Sequence, residues 1–268
     1  MRFHFVSRAE NESNMTPHES ANCNVPMIEA RTAHTRKLAI VGGGPSVQRK
    51  LAKLRKWNGD IWAINATTSY LTRKGIKNTL VSVDPIALEP QDFAAHKGAE
   101  GAILAACCDP RLFAEYAGRA RTFYTRANPR AEFIASGGST TATRLVLVAH
   151  RMGFNDITFF GCEGSYEDVS HVDQDKRSAK RLYILAGGVR YCTEPHLMVQ
   201  GEWLSELIRK YPDHCREESG GLLCAMIRHP DWTVLGVSDA MKSHFEESRK
   251  SYMEASCRRP IQALRPSL

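Results

Sequence analysis

The chain has 268 residues, 43% of them hydrophobic and 24% charged, with 36 Lys+Arg against 29 Asp+Glu and a net charge of +7. This is the composition of a globular protein and excludes a disordered chain, a collagen-like repeat and a disulfide scaffold. No run of about 18 apolar residues occurs, and Met1–Val6 lacks the apolar stretch of a signal peptide. A cytoplasmic protein without a membrane partner is therefore expected.

In chain order, residues 1–36 are rich in Asn, Ser, Glu and Thr without apolar periodicity and read as a disordered tail. Leu38–Val41 then forms an apolar run ending in Gly42-Gly43-Gly44-Pro45-Ser46. A basic segment with Val47, Leu51 and Leu54 at helical spacing follows, giving strand, glycine turn and helix. Strands are predicted at Asp60–Asn65, Thr79–Val83, Ala102–Ala106, Arg121–Tyr124 and Asp156–Gly161. Helices are predicted at Thr67–Lys74 and Ser139–Met152. Arg181–Leu185 and Val189–Cys192, around Ala186-Gly187-Gly188, read as a β-hairpin. Helices over Leu197–Lys210, from Gly220 and over 238–254 complete the pattern. Strands alternating with helices predict an α/β fold: a Rossmann-like, mainly parallel sheet with flanking helices, plus a β-hairpin and C-terminal helices. The organisation expected is a tail over 1–36, one nucleotide-binding domain over 37–235 and a helical extension over 236–268.

Charge is distributed unevenly. Residues 49–77 hold eight Lys/Arg and one acid, and 111–151 hold seven Arg and two acids, whereas 78–110 and 152–237 are each net negative by four. Solvated helix faces explain this, as does a basic rim around an anionic ligand, with Arg49, Lys50 and Lys53 adding to the field. Nucleic acid is not an expected partner, because no basic tail interleaved with aromatics, helix-turn-helix or zinc pattern is present. The eight cysteines show no C-x-x-C spacing and read as small buried hydrophobes.

Four constellations carry candidate chemistry. Gly42, Gly43, Gly44, Pro45 and Ser46 follow a strand and open a helix, where backbone N–H groups can meet a phosphate and Ser46 can cap the helix; a plain βα turn is the alternative. Asn65 and Asp84 stand at carboxyl ends of strands, where parallel sheets bind ligands, and either can also be a cap. Ser136, Gly137, Gly138, Ser139 and Thr140 form a second glycine and hydroxyl turn before a helix. Glu163 and His171 follow the sixth strand on a polar loop, where an acid suits magnesium and a histidine suits base chemistry. A solvated acidic loop is the alternative there.

Taken together these residues resemble the 6-hydroxymethylpterin diphosphokinase MptE-like family. The resemblance rests on Gly42–Ser46, Ile64-Asn65-Ala66, Asp84-Pro85, Gly138-Ser139-Thr140 before a helix with Ala149 and Gly153-Phe154, then Ile157, Gly161, an acid and His171. It spans about residues 37–175. The family pattern carries Asp or Gln-Asp after the strand glycine, where this chain has Cys162-Glu163. The resemblance implies a magnesium-dependent transferase that moves diphosphate from ATP to a substrate hydroxyl, with ATP phosphates on the glycine turns. Asp84 and Glu163 would hold the metal, and Glu163 and His171 would be catalytic. The same residues are similar to bacterial sialyltransferases, which implies a CMP-sugar donor held by Asn65, Ser136 and Gly137 as an alternative. A third alternative is a non-catalytic nucleotide-binding accessory protein. A nucleotide and a small-molecule acceptor are the expected partners, and a homo-oligomer is left open.

Overall fold

The computed structural model describes residues 17–136, 138, 140–166 and 181–235. The predicted extension over 236–268, with its helix, lies outside the described residues.

Seven parallel strands form the main sheet in the order β5-β4-β3-β2-β1-β6-β9. They are β1 (His34–Val41), β2 (Gly59–Ile64), β3 (Thr79–Ser82), β4 (Gly101–Ala105), β5 (Ala120–Phe123), β6 (Phe154–Phe160) and β9 (Cys215–Glu217). The connecting helices are α1 (Ser46–Arg55), α2 (Thr67–Arg73), α3 (Pro90–Ala94), α4 (Pro110–Glu115) and α5 (Thr141–Arg151). A hairpin, β7 (Leu182–Ala186) and β8 (Val189–Thr193), gains a third strand from β10 (Thr233–Leu235). The helices α6 (Pro195–Lys210) and α7 (Gly221–Arg228) stand between the two sheets in the chain order. The fold is thus Rossmann-like, with a small antiparallel sheet attached.

Strand β1 is central because both its faces are apolar, as a strand covered on both sides requires. Ala39 and Val41 join Val47 and Leu54 of α1 and Tyr70 and Leu71 of α2. Leu38 and Ile40 join Leu145 and Val148 of α5 in the opposite layer. Leu38, Ile40 and Val41 have no exposed surface, and full burial of such a side chain contributes about 1.5–3 kcal/mol. Strand β6 alternates in the same way: Phe160 lies on the α1 side and Phe159 on the α5 side.

The expectation of a disordered tail fails for residues 17–36. The Asn22 amide is buried and donates to the carbonyls of Ala106 at 2.8 Å and Cys108 at 2.9 Å. Ile28 is buried, its N–H donates to Thr122 O, and Thr122 N–H donates to Pro26 O. This segment therefore covers the outer edge of β5, which would otherwise present unpaired backbone groups. Its polar composition concealed a role in which these hydrogen bonds accompany the burial of Ile28 in the core. The field expected from α1 is also redirected: Lys50 and Lys53 pair with Glu218 at 3.0 and 2.6 Å. Among the described residues no helix is long and apolar enough to cross a membrane.

Candidate functional site

The chain leaves β1 toward β2 on one side and later returns to place β6 on the other. That reversal makes the carboxyl ends of β1 and β6 the crevice where open α/β sheets bind ligands. A cavity of about 320 Å³ lies there, lined by Gly42–Gly44, Asn65, Asp84, Thr140–Ala142, Glu163–Ser165, His196 and Gln200. A larger cavity, about 400 Å³, lies at the opposite end of the sheet among Arg31, Phe154 and His214, and holds none of the residues expected to bind a ligand or do chemistry.

The first glycine turn brings the exits of β1 and β6 into contact. Gly42 N–H donates to Phe160 O at 2.7 Å and Gly44 N–H to Gly161 O at 2.9 Å. A Cβ on Gly42 would lie 2.4 Å from Gly161 O, so the approach requires glycine. Ser46 does not cap α1. Pro45 holds the cap position, and Ser46 instead donates its backbone N–H to Glu163 Oε1 at 2.6 Å. Val47 and Gln48 N–H donate to Gly44 O and Pro45 O. The donors expected to cradle a phosphate are therefore largely used within the protein. The buried Ser46 hydroxyl has no hydrogen-bond partner among the described residues. Pro45 and Ser46 lie behind the cavity wall rather than on it.

Glu163 is 1% exposed. Its carboxylate packs so closely on Gly44 that a Cβ there would lie 1.6 Å from Oε2, and a Cβ on Gly221 would lie 2.8 Å from Glu163 Cβ. The segment carrying it is clamped. Leu223 N–H donates to Glu163 O, Leu222 N–H to Ser165 Oγ, Cys162 N–H to Ser219 Oγ and Tyr166 N–H to Cys192 O. Burial, helped by the Glu163 charge, pushes the neighbouring Cys162 thiol up to about 12, which leaves it inert as a nucleophile.

At the second turn, Thr143 Oγ1 accepts from Thr140 N–H at 3.3 Å and donates to Thr140 O at 2.8 Å. Thr140 Oγ1 donates to Gln200 Oε1 at 2.7 Å, linking α5 to α6. Thr141 and Ala142 line the cavity from the first turn of α5, where backbone N–H groups lack intrahelical carbonyls. Gly138 has φ +81° and packs against Thr143. Ser136 is exposed and stands away from the cavity. Gly137, Ser139 and His171 lie outside the described residues.

Asn65 has φ +50°, the one positive-φ residue other than glycine among the described residues. Asparagine tolerates this conformation better than most side chains, and such backbone outliers cluster at functional sites. The Asn65 amide donates to Asp84 Oδ2 at 2.7 Å, which joins the ends of β2 and β3. Burial raises the Asp84 pKa above the ordinary 3.8, against the opposing charges of His96 and Arg144 and the hydrogen bond from Asn65.

At the start of α6, His196 reads from the sequence as a residue that could stack on a ring, or else as core or cap; its pairing with Glu194 was missed. His196 lines the cavity, and its Nδ1 lies 3.5 Å from Oε2 of the buried Glu194. Burial lowers the His196 pKa from 6.5 and so favours neutral imidazole. The local signal was Glu194-Pro195-His196 opening a helix after a hairpin. Only the topology brings that helix start to the carboxyl end of the sheet.

The 6-hydroxymethylpterin diphosphokinase MptE-like family matches residues 13–169, more than half of the sequence. The chain belongs to that family. The match starts ahead of β1 and so includes the segment that covers the β5 edge. The MptE-like chain is also similar to the solved structure of the MAf glycosyltransferase from Magnetospirillum magneticum AMB-1, with TM-score 0.63 and 16% identity. The similarity covers 97% of this chain and 45% of that one. At this identity the likeness is one of fold, and the MptE-like chain spans less than half the length of the protein it matches. Among curated proteins none matches.

Proposed function

We propose that this protein is a nucleotide-dependent transferase whose donor binds at the carboxyl ends of β1 and β6. The observation that carries the reading is His196, paired with the buried Glu194, lining the same cavity as Asn65 and Asp84. A neutral imidazole oriented by a buried carboxylate is suited to accept a proton from a hydroxyl. In the reaction, an acceptor hydroxyl attacks the electrophilic centre of the donor and the bond to the leaving phosphate oxygen breaks. The electron pair leaves on that oxygen, and the proton passes to His196. The first turn of α5 offers N–H groups to a donor phosphate.

The family description supports diphosphate transfer from ATP as the reaction, with a small-molecule acceptor. Magnesium keeps several waters and takes one or two carboxylates together with phosphate oxygens. Asp84 fits that role from the cavity wall. Glu163 fits poorly, because its Oε1 already accepts from Ser46 N–H and its chain packs on Gly44. Among the described residues no group of three His, Cys, Asp or Glu converges as an all-protein metal cage. Magnesium would then be shared between Asp84 and the donor phosphates, where it would neutralise charge on the transferred group.

Transfer of a sugar from a CMP-sugar-like donor is the second reading. The internally used donors of the first glycine turn favour it, since they leave fewer backbone N–H groups for a chain of phosphates. Thermal stabilisation by ATP, CTP and CMP, each with and without magnesium, tests both readings. Magnesium-dependent stabilisation by ATP supports diphosphate transfer, and metal-independent stabilisation by CMP supports sugar transfer. No stabilisation by any nucleotide would overturn the proposal, and binding without turnover in any acceptor screen would leave an accessory nucleotide-binding protein.

A further inference from the structure

The start of α5 has a buried side chain turned toward it from α6. Thr141 and Ala142, the first two residues of α5, line the cavity, and N–H groups in a first turn have no intrahelical carbonyl. Gln200 of α6 lines the same cavity and is 6% exposed, and its Oε1 accepts the Thr140 hydroxyl at 2.7 Å. The Thr140 side chain also accepts the Thr143 N–H in the capping box that opens α5. Its hydroxyl hydrogen is therefore the one that goes to Gln200, which fixes the amide with Oε1 on Thr140 and Nε2 on the other side. Gln200 Nε2 makes no hydrogen bond with the described residues, yet it is not sealed in the protein as Asn65 Oδ1 is. In a buried residue that lines the cavity, that nitrogen opens into the cavity. A donor held there without a partner is rare in a folded protein and points to a ligand atom.

We infer that Gln200 is a phosphate-binding residue, its Nε2–H completing an oxyanion site begun by the N–H groups of Thr141 and Ala142. This rests on the proposal that the cavity binds a nucleotide. The groups gathered at this point are all hydrogen-bond donors, so they call for a ligand group that only accepts and offers several lone pairs, as a phosphate does. Among the described residues no Lys or Arg lines the cavity, and the Asn65 amide is committed to Asp84. Recognition of the phosphate therefore falls to neutral donors, while Arg144 of α5 brings opposite charge to bear on Asp84. Gln200 and His196 are four residues apart on α6 and both line the cavity, so one face of that helix carries the phosphate donor and the proton acceptor together. Gln200 lies beyond residues 13–169, which the family matches, so this contact belongs to the C-terminal part of the chain and not to the family pattern.

The test is calorimetric binding of ATP, CMP, adenosine and cytidine, without metal and with magnesium, to wild type, Gln200→Glu and Gln200→Met. Wild type is expected to bind a nucleotide more tightly than the matching nucleoside. Gln200→Glu keeps an oxygen acceptor for Thr140 and puts a carboxylate oxygen where the N–H was. Gln200→Met keeps the length of the chain and removes the donor. Each is expected to weaken nucleotide binding by about tenfold to a hundredfold, the scale of one hydrogen bond to a charged group, and to leave nucleoside binding unchanged. In wild type the side-chain amide resonance of Gln200, identified by its loss in Gln200→Met, should shift when the nucleotide is added, which a purely structural role would not require. An amide resonance that the nucleotide does not move overturns the inference, whether or not the variants fold. So does unchanged nucleotide affinity in both variants, or an equal loss for nucleotide and nucleoside; in each of these cases nucleotide binding itself still stands. Wild type that binds no nucleotide fails differently, because it removes the proposed function itself.

Discussion

A methyl group added at Gly44 separates the two meanings of the first glycine turn. The ideal Cβ would lie 1.6 Å from Glu163 Oε2, 2.4 Å from Cδ and 2.8 Å from Oε1, and these are its three nearest atoms. Gly44 has no positive φ, so its backbone accepts alanine. The Glu163 chain can rotate away, so the steric conflict alone costs little. What is lost is the position of the carboxylate. A hydrogen bond to a charged group contributes about 1.5–3 kcal/mol, and a carboxylate at a partly buried helix start up to about 2 kcal/mol. The two overlap, and a loss of about 3 kcal/mol is expected for Gly44→Ala, or roughly 9 °C in Tm for a domain of this size. In a Glu163→Ala background the same substitution meets no carboxylate. There it should be neutral, or stabilising by about 0.4–1 kcal/mol through the unfolded chain. Differential scanning calorimetry of the four proteins closes the double-mutant cycle. Equal costs in both backgrounds, or a Tm unchanged by Gly44→Ala alone, would refute the reading of the turn as a seat for Glu163.

His196→Ala should lower turnover by about 10²–10⁴-fold, with an unchanged far-ultraviolet circular dichroism spectrum. Because burial depresses the pKa of His196, its neutral form persists through pH 6.5. The acid limb of kcat/KM should therefore fall below that value, and a limb centred above 6.5 would count against His196. The same group contributes a stability that is present above 6.5 and lost as pH drops toward its lower folded pKa. For Asp84 the sign is reversed, since a raised carboxyl pKa gives stability below 3.8 that is lost as pH rises. Asp84→Asn should thus melt higher than wild type at neutral pH, converge with it in acid, and bind nucleotide more weakly by calorimetry. Asn22→Ala removes two donors from the carbonyls of Ala106 and Cys108 and should cost about 2 kcal/mol in urea denaturation. A smaller loss than about 0.5 kcal/mol would mean the segment before β1 is not integral to the fold.

The parallel sheet was legible because its long elements carry clear periods: Leu38–Val41, Ile61–Ile64 and Leu145–Val148 announce themselves by apolar spacing. The elements that went unread are short and held by others. Strand β9 is three residues on the edge of β6, β10 is three residues on β7, and α3 and α4 are single turns begun by Pro90 and Pro110. Sequence periodicity cannot report a strand that exists because a neighbour offers hydrogen bonds. The candidate site divides the same way. Glycine turns and strand-end residues are local features, and Gly42–Gly44, Asn65, Asp84 and Thr140 do share one cavity. The partner of the first turn is Glu163, 117 residues beyond Ser46, and the cavity histidine arrives on a helix from beyond the hairpin. The first pairing has no local signature, and the Glu194-Pro195-His196 step does not say which cavity it reaches.

The strand order also has a kinetic meaning. Strands β2 to β5 build outward from one edge of β1, while the other edge waits for β6, which pairs Leu38 with Ile157 and Val41 with Phe160. Pairings so distant along the chain form slowly. Until β6 docks, β1, whose Leu38–Val41 run is fully buried in the finished sheet, is an open edge, the kind that recruits other chains. The docking that seals this edge is also the event that brings Glu163 to Ser46 and creates the crevice. Partly folded chains are therefore expected to be both sticky and unable to bind. A ligand that bridges the turns after β1 and β6 would draw the population toward the closed sheet by mass action, and would so act as a folding aid.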